Sequence, residues 1–163
     1  MFTNKLYAQA IIAFEEAGKT READICYAFL YRENARAVPN GQVKERADAF
    51  IKAGEAFSAC ANQPQSHGRE RLTYYANAGE CFFQGRRFEE AGNCFVDAER
   101  YSKAATAYRE GGHFDEMMEV LEKHADQIEA KLVAQLTKVA KMDYFKVSKP
   151  STIEDYLAKA IHS

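Results

Sequence analysis

A five-residue motif, small or unbranched at its first position and aromatic or aliphatic at its fifth, occurs seven times along this chain. The copies run Ala10 to Phe14, Ala23 to Tyr27, Ala53 to Phe57, Ala78 to Phe82, Ala91 to Phe95, Ala104 to Tyr108 and Met117 to Leu121, and four of the six intervals between neighbours are 13 residues. Residues four apart share one face of an α-helix. The leading small residue therefore lets a neighbouring backbone approach, and the bulky one fills the space a turn further on. Thirteen residues hold one short helix and its turn, so two steps make a 26-residue hairpin. One such hairpin leaves an apolar face uncovered and is stable only when the next stacks on it. The chain is thus constrained to an all-α fold of stacked antiparallel helical hairpins, an α-solenoid.

The three prolines, Pro39, Pro64 and Pro150, all fall in segments rich in turn formers, which leaves the stretches between them free of helix breakers. Those stretches predict nine helices, at about 3–17, 20–37, 42–61, 69–84, 88–98, 101–111, 114–124, 126–142 and 152–161. Ser151 followed three residues later by Glu154 forms a capping box for the last of these, expected to cap the stack. Turns of two to four residues after Ala17, Gln84, Ala98 and Glu110 require antiparallel neighbours. Phe88, Tyr101 and Phe114 open the next helices, again 13 apart, where each can pack over its turn. With 163 residues, 47% of them hydrophobic, one domain spanning 1–163 is expected, its hairpins clearest at 72–124.

A formal charge of −2 gives no global field toward nucleic acid or an acidic membrane. The longest apolar run, Ile25 to Tyr31, is far shorter than the roughly 20 residues of a membrane span. Gln9, Glu15 and Glu16 interrupt what would be the apolar centre of a signal peptide, so the N-terminal segment reads as mature helix. Cys26, Cys81 and Cys94 occupy the motif's fourth position, where other copies have Ala13, Ala56, Ala107 and Val120. A slot shared by Cys, Ala and Val is a packing slot, and together with Cys60 these read as reduced thiols of an intracellular protein, cytoplasmic or nuclear.

Tyr75-x2-Ala78-Gly79-x2-Phe82 followed by Ala91-x3-Phe95 resembles the tetratricopeptide repeat, and the pattern returns 26 residues later through Ala105, Tyr108, Met117 and Leu121. The chain departs from that family in having no Trp, in Lys103 standing at the closing Pro, and in a unit of 26 residues where the family has about 34. Short hairpins of this kind are similar to those of vesicle-trafficking adaptors and coat proteins. The stretch Tyr75 to Lys146 also resembles the helical region of large fungal proteins that carry tetratricopeptide and ankyrin repeats beside a helicase-like ATPase. The resemblance implies a non-catalytic scaffold module without a cofactor, a fragment of a larger protein, that binds another protein or another domain of its parent chain. It places the binding groove at Thr73, Glu80 and Phe83 in one hairpin and at Glu99, Ser102, Thr106 and Arg109 in the next.

Other constellations read as structure. Gly18-Lys19-Thr20 lacks the earlier glycine and the preceding strand of a phosphate loop, so Gly18 is expected to end one helix and Thr20 to cap the next. His67, His113, His124 and His162 show no metal-site spacing, nor do Cys60 and His67 find two further ligands. Glu15 with Glu16, Glu89 with Glu90 and Asp115 with Glu116 read as solvated helix surface, and the latter two pairs suit a helix first turn. Lys138, Lys141, Lys146 and Lys149, interleaved with Tyr144 and Phe145, form the one local charge bias. Such a patch can hold a single strand by charge and stacking, which gives the alternative reading, a nucleic-acid-contacting accessory domain of a helicase-like ATPase.

Overall fold

The short turns are built by one repeated hydrogen-bond pattern. In a computed structural model, which describes residues 2–147, the amide of Lys19 donates to the carbonyl of Phe14 at 2.8 Å and that of Gly18 to Glu15 at 3.1 Å. These are the two bonds of a Schellman motif, which satisfies the free carbonyls at a helix end. The pattern recurs where Arg87 donates to Phe82, Arg100 to Phe95 and His113 to Tyr108, at 2.8–2.9 Å. Each of these donors is also the N-cap of the following helix, and its own carbonyl accepts from the first residue of the next motif: Ala23, Ala91, Ala104 or Met117. The chain therefore advances four residues along the motif, five across the turn and four into the next helix. This path is the physical origin of the 13-residue step.

The turn residue ahead of each N-cap needs a left-handed backbone, and it is Gly18 (φ 71°), Arg86 (62°), Glu99 (59°) or Gly112 (75°). Two of the four therefore hold a side chain where glycine is favoured. Thr20 does not cap its helix. Lys19 stands at the cap without a side-chain bond, because the Schellman turn brings the chain into the new helix one residue earlier.

Eight α-helices result among the described residues, with no strand: α1 Phe2–Glu16, α2 Thr20–Ala37, α3 Val43–Asn62, α4 Gly68–Gln84, α5 Phe88–Asp97, α6 Tyr101–Glu110, α7 Phe114–Lys123 and α8 Ala130–Val147. Helices α1 to α7 pack in sequence order, and α8 lies against both α6 and α7. The helix expected from residue 126 starts four residues later. Ala125–Gln127 form a single 3-10 turn, and Ile128 is extended (φ −122°, ψ 141°) so that its side chain enters the core at 6% exposure. Leu136 and Ala140 of α8 are buried and Leu132 and Val133 half-buried, which leaves Lys138 and Lys141 exposed. The expected helix at 152–161 and its capping box lie outside the described residues.

The core is assembled by a second rule: the fifth motif residue of one helix packs on the second motif position of the helix before it. A Cβ on Gly54 would lie 3.0 Å from the Phe82 ring, on Gly79 2.8 Å from Phe95, and on Gly92 2.3 Å from Tyr108. The same relation in α2 and α3 pairs two aromatics, Phe29 and Phe57, edge to face at 5.1 Å. Phe29 follows Ala28, which is fully buried, so the α2 register that meets α3 begins at Ala28 and not at Ala23. Ala28, Ala53 and Ala78 are then 25 residues apart, a second regular step in what reads from the sequence as an irregular middle.

That longer step has its own connection. Val38 and Gln63, each preceding a proline, are extended and end α2 and α3. Arg46 and Arg71, also 25 apart, reach back from the next helix to the open carbonyls. Arg46 Nη1 donates to Ala35, Arg36 and Val38 at 3.3, 3.2 and 2.9 Å, and Arg71 Nε donates to Ala61 at 2.9 Å.

Candidate interaction groove

Glu80 and Phe83 lie three apart on α4, and Ser102 and Thr106 lie four apart on α6, so each pair shares a helix face. Because the short turns reverse the chain at α5, α4 and α6 run side by side with α5 behind them. Together with Phe95 of α5 and Lys103 these four residues line a hollow of about 240 Å³. Phe95, 2% exposed, belongs to the core and forms part of the hollow's lining. Lys103 spans the opening: its ammonium pairs with the Glu80 carboxylate and lies 5.8 Å from the centre of the Phe95 ring. The Thr106 hydroxyl donates to the Ser102 carbonyl at 2.9 Å, which turns the Thr106 methyl toward its neighbours.

Phe83 also borders a second hollow, of about 340 Å³, at the ends of the helices, and Arg46, Arg86 and Phe88 are among its other walls. The Phe83 and Phe88 rings meet edge to face at 5.2 Å across the α4–α5 turn, so Phe88 does pack over its turn as its position suggests. Tyr101 instead stacks on His124 at 3.6 Å, and Phe114 is half-buried against the core.

Four of the seven groove positions read from the sequence thus converge, and three do not. Thr73 lies two turns before Glu80, on a part of the 17-residue α4 that the 10-residue α6 is too short to accompany. Its hydroxyl is taken up by the Arg69 carbonyl at 2.9 Å. Glu99 is the left-handed residue of the α5–α6 turn, and Arg109 is exposed and paired with Glu110 at 2.8 Å. The residues sequence reasoning missed are Phe95 and Lys103. Lys103 was visible only as a departure from the family's closing Pro, and Phe95 only as a core position.

The remaining reactive groups are held as structural ones. Cys60, Cys81 and Cys94 are buried and Cys26 half-buried, all as free thiols. Burial pushes the thiols of Cys60 and Cys81 up to about 11 and that of Cys94 to about 12, so they stay protonated and unreactive at neutral pH. His67 shares a hydrogen with the Gln65 carbonyl at 2.9 Å, His113 caps α7 and His124 lies under Tyr101. Among the described residues no three His, Cys, Asp or Glu side chains converge as metal ligands would. Nor is any helix there long and apolar enough to cross a membrane. Of the lysine patch, Lys138 and Lys141 are exposed on α8, Lys146 falls near its end, and Lys149 lies outside the described residues.

No protein-family model, curated protein or solved structure matches this chain.

Proposed function

We propose that this chain is a tetratricopeptide-like interaction module without catalysis of its own, which holds a segment of another protein, or of another domain of a larger parent chain, between α4 and α6. One observation carries the reading: Glu80, Phe83, Ser102 and Thr106, from alternate helices, meet around an open hollow bordered by the Phe95 ring. Open hollows with an apolar lining and a polar rim suit the side chains of an extended segment, and stacked hairpins carry such surfaces along their length.

The test is capture of binding partners from cell extract by the immobilised chain. Thr106 is half-buried at the edge of the hollow, so Thr106→Arg fills the hollow without opening the core beneath it. Lys138→Glu on the exposed face of α8 serves as the control. Loss of the captured protein with Thr106→Arg and its retention with Lys138→Glu support the module. Undiminished capture by Thr106→Arg overturns it.

A further inference from the structure

Phe83 is a shared wall, with one hollow on its α6 side and the other toward the helix ends, and the two differ in charge. On the α6 side Lys103 and Glu80 neutralise each other, which leaves an aromatic lining as the main thing a ligand meets. Toward the helix ends Arg46 and Arg86 face the second hollow, and among the described residues neither makes an ion pair. Arg46 commits one nitrogen, Nη1, to the α2 carbonyls and rests its guanidinium on Phe50 at 5.1 Å, so its other donors remain available. Arg86 is held over the Phe88 ring at 5.5 Å and is exposed. Glu110, the acidic wall, is taken up by Arg109.

We infer that the segment bound here carries an apolar side chain a few residues from an acidic one: the apolar group enters the hollow beside Phe95, and the carboxylate lies between Arg46 and Arg86. Planar guanidiniums bind carboxylates through paired hydrogen bonds, and a guanidinium preset by stacking on an aromatic ring loses little freedom in doing so. An extended chain advances about 3.3 Å per residue, so a spacing of two to four residues spans the width of the Phe83 ring and its two flanks. The inference rests on the groove reading above and adds to it the chemistry of the occupant.

The experiment is selection of random twelve-residue peptides displayed on phage against the immobilised chain, its Arg86→Gly variant and its Thr106→Arg variant. Glycine suits the left-handed backbone at position 86, so Arg86→Gly removes the charge while keeping the fold, which circular dichroism verifies. Wild type is expected to enrich peptides with Asp or Glu two to four residues from a Leu, Ile, Met or Phe. Those peptides are expected to bind Arg86→Gly about fivefold more weakly, the size of a part-exposed charge pair, and Thr106→Arg hardly at all. Enriched peptides without an acidic residue, or with unchanged affinity for Arg86→Gly, overturn the carboxylate assignment while leaving the groove intact. Peptides indifferent to Thr106→Arg, or no enrichment at all, overturn both.

Discussion

The Cα of Gly92 lies flat against the ring of Tyr108, so close that a Cβ there would stand 2.3 Å from Cε1 and 2.5 Å from Cδ1. The Tyr108 hydroxyl then donates to Asn93 Oδ1 at 2.5 Å, on the residue next to that glycine. A side chain buried to 4% exposure thus has its apolar ring on a bare backbone and its one polar atom satisfied. Phe95 repeats the relation on Gly79 and Phe82 on Gly54, one helix earlier each time. Where the second motif position is Ala105, the following copy ends in the aliphatic Leu121, and both are buried.

The left-handed turn residues should respond to substitution in opposite directions. Arg86→Gly and Glu99→Gly relieve a conformation that L-residues resist, and each is expected to raise stability by roughly 0.5–1 kcal/mol. Gly18→Ala and Gly112→Ala introduce that strain and should each cost about 1 kcal/mol, although no atom lies within 4 Å of the added methyl. Urea unfolding midpoints of the four variants check the signs. A destabilised Arg86→Gly would mean that its stacking on Phe88 outweighs backbone strain.

Arg46 does at the end of α2 what the Schellman turns do elsewhere. Arg46→Met keeps the apolar stem against Phe50 but leaves the Ala35, Arg36 and Val38 carbonyls to water or to nothing. The expected loss is about 1–2 kcal/mol. Amide hydrogen exchange should accelerate in the last turn of α2 and remain slow in α5 and α6. Uniform acceleration across the chain would contradict a local capping role.

Stability should fall at alkaline pH. Folded Cys60 and Cys81 titrate near 11 and Cys94 near 12 because burial disfavours the thiolate, whereas an unfolded thiol titrates near 8.5. A folded pKa above the unfolded one means that the contribution is whole below about pH 8.5 and is lost as pH rises through the folded values. Tyr108, pushed up to about 12 by its burial, adds to the loss above about pH 10. Unfolding midpoints measured from neutral to about pH 10.5 should decline steadily, and more gently in Cys81→Ala/Cys94→Ala, which puts the alanine of sister copies in the same slot. An unchanged slope in that variant would assign the decline to other groups.

The sequence carried the helices and the 13-residue step because motif, turn and motif all fall within local hydrogen-bond reach. It did not carry the 25-residue step, and particular residues explain why. In α2 the motif visible at Ala23 belongs to the half that meets α1, while the register that meets α3 has Phe29 at the glycine position and Arg32 at the aromatic one. Arg32 nevertheless lies over the Phe29 and Phe57 rings, at 5.0 and 5.5 Å, as an amphipathic stand-in. Likewise Arg86 and Glu99 hid two left-handed turns whose usual sign is glycine. In the groove, the pairs on α4 and α6 followed from helix periodicity. Phe95 depended on knowing that α5 lies behind both.

The account turns on the claim that a bare backbone under an aromatic ring sets how one helix follows the next, and a double-mutant cycle on Gly92 and Tyr108 tests it most directly. Gly92→Ala alone should cost about 1–3 kcal/mol through overpacking. In a Tyr108→Leu background, where the aliphatic side chain no longer lies flat on position 92, the same change should cost far less, with a coupling of about 1 kcal/mol or more. Additive costs, measured by urea unfolding of the four proteins, would contradict it.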